Sequence, residues 1–345
     1  MIGAKLIKWF KQNKRDLPWR NTTDPYKVWL SEIILQQTRV AQGMPYYMAF
    51  VKIFPTVFDL AKAPEQKVLK LWQGLGYYSR ARNLHTAAKE VVKNYKGIFP
   101  SEFEELKKLK GVGDYTAAAI SSFCFNKPQA VVDGNVYRVL ARLFAIDTPI
   151  NSTEGKKQFA LLAQELVDKK NAGAYNQAIM EFGALYCTPH KPNCEACVFY
   201  DTCLSGLAGK ALNYPIKIAS KKVTTRYFEY FVIISNKNTY TQKRTESDIW
   251  KNLHQFPLLE YAEKPTDTGV LEQLKKEILK TKTNNFEIIK QTAYKKHQLS
   301  HQTIYARFTY INAKKFTNPN YKQTSLKQLK KLPLPILLAN EIVDL

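Results

Sequence analysis

Four of the five cysteines lie between residues 187 and 203, with the spacing C-x6-C-x2-C-x5-C. Thiolates grouped in one loop suit a tetrahedral metal ion or an iron–sulfur cluster, whereas disulfide scaffolds are typical of short secreted chains. The spacing lacks the paired two-residue knuckles of ordinary zinc ribbons, but by itself it leaves zinc and an iron–sulfur cluster open. We therefore predict a metal centre held by Cys187, Cys194, Cys197 and Cys203.

A second candidate is the stretch LKGVGDYTAAAISSF at residues 109–123. Gly111 and Gly113 allow a tight hairpin, and backbone N–H groups at the start of the next helix can bind a DNA phosphate without reading the base sequence. A Gly-x-Gly turn between helices is often only a turn, so this motif alone leaves both interpretations open. Asp133 follows in VVDGNVYRVLARLF, where the alternative role is a helix N-cap.

The elements that must position these residues change type along the chain. Between residues 24 and 186 the apolar residues recur at helical spacing, as in VWLSEIILQQT and GKKQFALLAQELVDKK. After Cys203 a basic, apolar-poor linker leads to RYFEYFVIIS and QTIYARFTYI, which have the β-branched and aromatic content of strands. VLEQLKKEILK and PILLANEIV predict helices among those strands. An all-α part and an α+β part are therefore expected.

The charge balance favours a polyanionic partner. The 345 residues carry 52 Lys+Arg against 29 Asp+Glu, a formal net charge of +23. Nucleic acid is the expected partner, although a solvated lysine-rich surface is an equally ordinary explanation. The N-terminal MIGAKLIKWFKQNKRDLPWR has neither a long apolar region nor a small-residue cleavage site. We expect a protein that stays inside the cell and does not enter a membrane.

The order of hairpin, Asp133 and four-cysteine loop resembles that of the endonuclease III superfamily, the helix-hairpin-helix DNA glycosylases with a [4Fe–4S] cluster. Four further segments resemble the adenine DNA glycosylase (MutY) branch: LPWR at 17–20, SEIILQQT at 31–38, GLGYYSRARNL at 74–84 and NQAIMEFGALYCTP at 176–189. The resemblance implies a [4Fe–4S] cluster rather than zinc on the four cysteines. It also implies a monofunctional enzyme that removes adenine paired with 8-oxoguanine or guanine in double-stranded DNA.

Cleavage of a glycosidic bond needs an acid for the leaving group and a carboxylate near the anomeric carbon. By resemblance, Glu32 protonates adenine at ring nitrogen seven, and Asp133 stabilises or transiently captures the sugar cation before water attacks. Asn135 positions the water or Asp133. The apolar neighbours of Glu32 on its helix can raise its pKa. Tyr115 stands where bifunctional relatives carry a Schiff-base lysine, and a phenol cannot form that bond. Solvated, capping or core roles are the alternatives for these residues.

Adenine must leave the base stack before it can be excised. By resemblance, Trp19, Arg20 and Gln177 form the adenine pocket, while Gln37 and Tyr77 fill or wedge the gap in the stack opposite. Core packing is the alternative for Trp19 and Tyr77, and a solvated helix position for Gln177.

The C-terminal part resembles the Nudix-like domain that reads 8-oxoguanine in this family. Leu299-Ser300-His301 match its recognition motif, which usually begins with phenylalanine, although His301 can also be an ordinary strand histidine. DIWKNLHQFPLLE at 248–260 resembles the family's G-L-W-x-F-P region with its glycine replaced. A Glu-rich Nudix box is missing, so metal-dependent pyrophosphate hydrolysis is not expected. Lys110 replaces the usual proline of the hairpin, which affects the rigidity of the turn more than phosphate contact.

The predicted architecture is an all-α helix-hairpin-helix glycosylase domain at 1–205 with the cluster loop at 187–203, a linker at 206–222, and an α+β Nudix-like domain at 223–345. We expect a monomer, cytoplasmic and associated with a bacterial nucleoid. Two alternatives differ in chemistry. An endonuclease III-like glycosylase and lyase for oxidised pyrimidines is disfavoured by Tyr115 and the second domain. A non-catalytic DNA-binding iron–sulfur protein would need neither Glu32 nor Asp133.

Overall fold

The computed structural model describes residues 2–219, 223–235, 238–280 and 286–342. Contacts divide the chain into two compact units. The first unit comprises Met1–Lys62 and Asn83–Ala219, and the second comprises Ala63–Arg82 and Ser220–Leu345. Within the described ranges, every helix is too short or too polar to cross a membrane.

The described residues up to 219 form only helices and turns, as predicted. The α-helices are α1 Ile2–Asn13, α2 Pro25–Leu35, α3 Val40–Ile53, α4 Val57–Lys62, α5 Glu65–Leu71, α6 Ser79–Tyr95, α7 Phe103–Lys107, α8 Asp114–Phe125, α9 Gly134–Leu143, α10 Thr153–Leu166, α11 Ala172–Leu185 and α12 Leu204–Leu207. Short 3₁₀ turns occur at Pro18–Arg20, Tyr200–Thr202 and Ala211–Asn213.

Local sequence explains how the two helices that carry the predicted carboxylates begin. Asp24 caps α2 by accepting a 3.0 Å hydrogen bond from the backbone N–H of Tyr26, and Pro25 occupies the first helical position, where a missing N–H costs nothing. Nearly every following residue of α2 is buried. Asp133 caps α9 through the N–H groups of Asn135 and Val136. The capping role weighed for Asp133 is therefore real.

One hydrophobic core joins α1, α9, α10 and α11. Each helix contributes a fully buried side chain, among them Leu6 of α1, Leu140 of α9, Phe159 of α10 and Ile179 of α11. Cys187, Cys197 and Cys203 pack against the same core. The core therefore supports both the cap of α9 and the cysteine loop.

The second unit mixes strands and helices. The strands are β1 Thr224–Ile234, β2 Asn238–Lys243, β3 His254–Gln255, β4 Leu258–Tyr261, β5 Phe286–Gln291, β6 Lys295–Gln298, β7 Gln302–Ala313 and β8 Lys322–Ser325. The helices are α13 Asp267–Gln273, continued by a π-helical stretch at Leu274–Leu279, α14 Leu326–Leu329 and α15 Ile336–Glu341.

The long strands β1 and β7 lie side by side in parallel at the centre of one sheet, which has the order β4-β1-β7-β5 with β6 also paired to β7. A second, smaller sheet has the order β3-β2-β8. Val270 and Ile278 pack with the sheet residues Phe231 and Ile311 in one core. The predicted α+β fold is confirmed, and both predicted strands and both predicted helices are present.

Two segments bear on the predicted domain limits. Residues 63–82 precede most of the helical unit in sequence, yet they pack with the C-terminal residues. In the predicted linker, the carbonyl oxygen of Ala211 accepts a 2.8 Å hydrogen bond from Arg142, and that of Ile218 accepts one from Asn151. The first part of the linker is therefore folded onto the first unit, and the limits 1–205, 206–222 and 223–345 stay a prediction.

Candidate active site

A cavity of about 540 Å³ in the first unit collects most of the residues predicted to carry the chemistry. This volume is within the usual range for small-molecule sites. The predicted residues that line it are Trp19, Arg20, Glu32, Tyr115, Asp133, Asn135 and Gln177. They come from a 3₁₀ turn and from α2, α8, α9 and α11, so the fold brings together positions that are far apart in sequence.

Glu32 is a buried carboxyl, 7% exposed, on the inner face of α2. Its Oε2 accepts a 2.6 Å hydrogen bond from the phenol of Tyr115 on α8. Burial raises the pKa of Glu32 to about 7, and the nearby charge of Asp133 acts in the same direction. The Tyr115 hydrogen bond and the charge of Arg20 lower that pKa in part. Glu32 can therefore hold a proton at neutral pH and donate it.

Asp133 is half-buried and accepts three hydrogen bonds. Its Oδ1 accepts from the backbone N–H groups of Asn135 at 2.9 Å and Val136 at 2.7 Å, and its Oδ2 accepts from the Asn135 side-chain amide at 2.7 Å. Burial raises the pKa of Asp133, while these hydrogen bonds and the charge of Arg138 lower it. The carboxylate is held in place beside the start of α9, where it can face a developing positive charge.

Glu181 is a site residue that the sequence did not reveal. It is 1% exposed on α11 and lines the cavity between two arginines. Arg20 donates to both of its oxygens, at 2.8 and 2.7 Å, and so does Arg15, at 2.8 and 2.6 Å. Burial alone would raise the pKa of Glu181, but the hydrogen bonds from both arginines outweigh burial and lower it to about 2. The ionised Glu181 thus fixes Arg20 in the cavity wall.

Arg138 on α9 is a second residue that was missed. Its guanidinium donates to the side-chain oxygen of Asn135 at 2.9 Å and to the carbonyl oxygen of Cys187 at 2.7 Å. One buried side chain therefore joins the partner of Asp133 to the first cysteine of the loop. The periodic spacing of α9 indicates that this position faces inward, but it cannot identify the two partners.

The four predicted cysteines line one small cavity together with Arg142 and Phe199. Arg142 is 2% exposed. It donates to the Cys187 Sγ at 3.3 Å and to the carbonyl oxygens of Thr188 at 2.7 Å and Pro189 at 3.1 Å. The backbone N–H of Phe199 points to the Cys197 Sγ at 3.4 Å. No group of three or more Cys, His, Asp or Glu among the described residues is arranged to hold a single metal ion.

The predicted hairpin lies between α7 and α8. Gly111 has φ +78°, and a side chain there would lie 2.7 Å from the Cβ of Asn83, so glycine is required for two reasons. Gly113 has an extended backbone and caps α8, and a Cβ at this position would meet nothing within 4 Å. The backbone at Gly113 is therefore open to a ligand at the start of a helix.

A cavity of about 480 Å³ in the second unit is lined by Tyr77, Leu299, Ser300 and His301, together with Trp250. Ser300 and His301 form the exposed tip of the β6–β7 hairpin, closed by a 2.9 Å hydrogen bond from Leu299 N–H to Gln302 O. The Ser300 hydroxyl lies 3.3 Å from the His301 Nδ1. The proposed wedge Tyr77 and the proposed lesion-reading motif thus line the same cavity.

Gln37 lines neither cavity. It is exposed just after α2, with φ +54°. A positive φ is uncommon outside glycine and indicates local strain, and Tyr77, at φ +46°, shares this property.

Two family models match the chain. Residues 30–169 match the HhH-GPD superfamily of base excision DNA repair proteins, and residues 229–340 match the NUDIX domain. These matches agree with the helical unit and with the mixed sheet described above.

An adenine DNA glycosylase of Buchnera aphidicola (subsp. Baizongia pistaciae) is 35% identical over 320 residues, covering 91% of this chain and 88% of the relative. The chain belongs to the adenine DNA glycosylase family. The human adenine DNA glycosylase is 46% identical over 209 residues, which cover 58% of this chain and 38% of the human protein. The predicted membership in the MutY branch is confirmed.

Among solved structures, a thermostable thymine-DNA glycosylase matches with a TM-score of 0.56 and 31% identity, covering 60% of this chain and 95% of the other. A non-covalent endonuclease III–DNA complex matches with a TM-score of 0.52 and 22% identity, covering 60% and 94%. The second likeness concerns the fold alone. Both agree with the helix-hairpin-helix architecture of this family member.

Proposed function

We propose that this chain hydrolyses the N-glycosidic bond of adenine in double-stranded DNA when adenine lies opposite 8-oxoguanine or guanine. The observation that carries the proposal is the cavity where Glu32, with a pKa of about 7, lies with Asp133 and the Tyr115 phenol. A buried acid and a second carboxylate are the pair that glycosidic hydrolysis requires.

In the proposed reaction adenine is flipped out of the duplex into this cavity. Glu32 donates its proton to ring nitrogen seven of adenine, so the base leaves as a neutral molecule. Asp133 stabilises the positive charge that develops on the sugar, and Asn135 holds Asp133 through the 2.7 Å amide hydrogen bond. Water then attacks the anomeric carbon and completes the hydrolysis.

Recognition of adenine is assigned to the walls of the cavity. Trp19 is 7% exposed and packs edge-on against Tyr47, with ring centroids 5.0 Å apart, so its ring is held in a fixed position. Arg20, fixed by Glu181, and Gln177 offer polar groups for the edge of the base. A rigid aromatic wall with few polar groups is typical of a site for one flipped base.

The product of this reaction is an intact abasic site. No lysine lines the cavity among the described residues, and Tyr115 donates to Glu32 instead of offering an amine. A covalent imine between enzyme and sugar needs such an amine. The strand should therefore break only when alkali or heat is added.

Lesion reading is assigned to the second unit. The Ser300 hydroxyl and the His301 ring can bond the oxygen or the new N–H that distinguish 8-oxoguanine from guanine. Their exposure at a hairpin tip supports contact with DNA, and Tyr77 on the same cavity supports a wedge role there. Gln37, exposed and strained, is assigned to the wedge as well.

The four cysteines are assigned to a [4Fe–4S] cluster. A single cavity lined by four thiols fits such a cluster, and the Arg142 guanidinium offsets the negative charge of thiolate ligands. Bound there, the cluster would cross-link the loop that follows α11. The experiment is a determination of bound metal in protein purified without oxygen. We expect brown protein with iron and sulfide, and colourless protein with one zinc per chain would refute the assignment.

The proposed function is tested with a duplex that contains adenine opposite 8-oxoguanine. We expect release of free adenine, with strand cleavage only after alkali treatment. Borohydride added during the reaction should trap no enzyme on the DNA, because Tyr115 cannot form an imine. Efficient trapping would support a lyase instead, and DNA binding without release of adenine would support a non-catalytic protein.

A further inference from the structure

The second unit contains a stretch of chain from far upstream, and this stretch forms one wall of the lesion-reading cavity. Residues 63–82 group with the C-terminal residues in the second unit. Tyr77 lies in a loop of this stretch, residues 74–78, called here the wedge loop. Ser300 and His301 line the same cavity.

Side chains of residues 63–82 bind two backbone segments of the C-terminal part. At the first, residues 332–334, Lys70 Nζ donates to the carbonyl oxygen of Leu332 at 3.1 Å and to Gln73 Oε1 at 3.1 Å. The same Gln73 Oε1 accepts from the N–H of Leu334 at 3.3 Å, and the Tyr78 hydroxyl donates to the carbonyl oxygen of Leu334 at 3.3 Å.

The second segment is the loop at residues 250–254. Glu65 Oε1 accepts a 2.8 Å hydrogen bond from the side-chain amide of Asn252, and Arg82 donates to the carbonyl oxygen of Lys251 at 2.8 Å. Trp250 and Asn252 have φ values of +59° and +68°. Backbone in this region is strained in residues other than glycine and persists only where surrounding contacts hold it.

We propose that Glu65, Lys70, Gln73, Tyr78 and Arg82 form a clamp that fixes the wedge loop relative to the Ser300–His301 tip, and that discrimination between 8-oxoguanine and guanine depends on this clamp. The inference rests on the lesion-reading role assigned above. The 250–254 loop borders the cavity through Trp250, and Ile336, two residues beyond the 332–334 segment, lines it as well. A wedge and a reader can report on the same base pair only if the distance between them is fixed.

Four of the five clamp residues bind main-chain groups of residues 251, 332 and 334, which any sequence could offer. Lys70 is half-buried, and burial lowers its pKa, so its ammonium depends on these acceptors. Glu65 and Lys70 carry opposite charges. Loss of Glu65 would strengthen the electrostatic attraction for DNA, whereas loss of Lys70 would weaken it. If both variants lower the discrimination between the two duplexes, the cause is loss of the clamp and not a change in charge.

The test uses the full chain and compares Lys70→Met, Glu65→Met, Lys70→Arg and Lys62→Met. The measured quantity is the ratio of single-turnover excision rates for adenine opposite 8-oxoguanine and opposite guanine. We expect Lys70→Met and Glu65→Met each to lower this ratio roughly 3- to 10-fold, which is the effect of one or two lost hydrogen bonds. Lys70→Arg, which still donates, should keep most of the ratio. Lys62→Met, at an exposed position on α4, should match the wild type.

Hydrogen–deuterium exchange supplies a second readout that does not depend on activity. In Lys70→Met, amides of residues 74–78 and 332–334 should exchange faster, while the melting temperature of the whole chain stays near that of the wild type. Unchanged exchange in these segments would overturn the clamp even if the enzyme is active. If exchange is faster but the wild type does not discriminate between the duplexes, the lesion-reading assignment fails instead, and with it the link to specificity.

Discussion

At the scale of single residues, the environment of Glu32 decides the chemistry. A carboxyl in water is ionised at neutral pH, whereas burial raises the pKa of Glu32 to about 7. The Tyr115 phenol works against burial by donating to the carboxyl at 2.6 Å. The acid therefore keeps a proton that it can transfer to a weakly basic leaving group.

The first prediction concerns pH. In the proposed reaction Glu32 acts in its protonated form, so single-turnover excision should fall as the pH rises through about 7. Asp133 is proposed to act in its ionised form, and burial raises its pKa. Excision should therefore also slow at low pH, when Asp133 becomes protonated. In Tyr115→Phe the alkaline limb of the curve of excision rate against pH should move to higher pH. The variant loses a hydrogen bond that lowers the pKa of Glu32.

Tyr95→Phe is the matched control for that variant. It also removes a phenol that donates to a glutamate, Glu105, at 3.1 Å, but it lies outside the cavity. Its alkaline limb should coincide with that of the wild type. A limb that moves to lower pH in Tyr115→Phe, or does not move, would show that Glu32 is not the titrating acid.

Sequence predicted the residues to which the chemistry is assigned, but it did not reveal the residues that hold them in place. Glu32, Asp133, Asn135 and Tyr115 stand in recognisable motifs, and all of them line the cavity. Glu181 lies in the quoted segment NQAIMEFGALYCTP, but its role depends on two arginines that reach it from another part of the chain. A charged residue within a helix is most often solvated, and nothing local distinguishes this one.

At the scale of elements, the hairpin before α8 combines two glycines with different reasons to be glycine. Gly111 has φ +78° and lies against Asn83, so glycine is required there by the fold of the protein itself. Gly113 has an extended backbone and free space around it, so the fold does not require glycine there. Glycine at this position is instead explained by a ligand that contacts the backbone. A phosphate bound by N–H groups at the start of α8 is that ligand in our account.

The second prediction compares the two glycines. Gly111→Ala should lower the free energy of unfolding by about 1 kcal/mol or more, since the backbone is strained and the new Cβ lies too close to Asn83. Gly113→Ala should leave thermal unfolding almost unchanged but weaken binding to duplex DNA, measured by fluorescence anisotropy. Gly113→Ala protein that binds DNA as tightly as the wild type would show that the phosphate lies elsewhere.

The types of the elements were predictable from periodicity, but their partners were not. The strands in RYFEYFVIIS and QTIYARFTYI were expected, yet their parallel pairing as β1 and β7 joins residues far apart in sequence. The helix in VLEQLKKEILK is present, but its second half is π-helical at Leu274–Leu279. Residues 63–82 read as ordinary amphipathic helix and turn, and only long-range contacts place them with the C-terminal sheet.

At the scale of the whole molecule, a net charge of +23 and a cavity in each of two units agree with the proposal that the protein inspects both strands of DNA. Adenine is a normal base, so in our proposal the information that marks it for removal comes from the opposite strand. One unit holds the proposed chemistry and the other the proposed reader. The family membership supports this division, because both family models are present in one chain.

The most direct test of the account is the single-turnover rate of adenine release by Glu32→Gln on a duplex with adenine opposite 8-oxoguanine. A carboxamide keeps the shape and the hydrogen bond to Tyr115 but cannot donate the proton, so the rate should fall at least about 100-fold. DNA affinity should stay near that of the wild type. Glu165→Gln, an exposed position on α10, serves as the control and should be fully active. Glu32→Gln protein that releases adenine at nearly the wild-type rate would contradict the central claim.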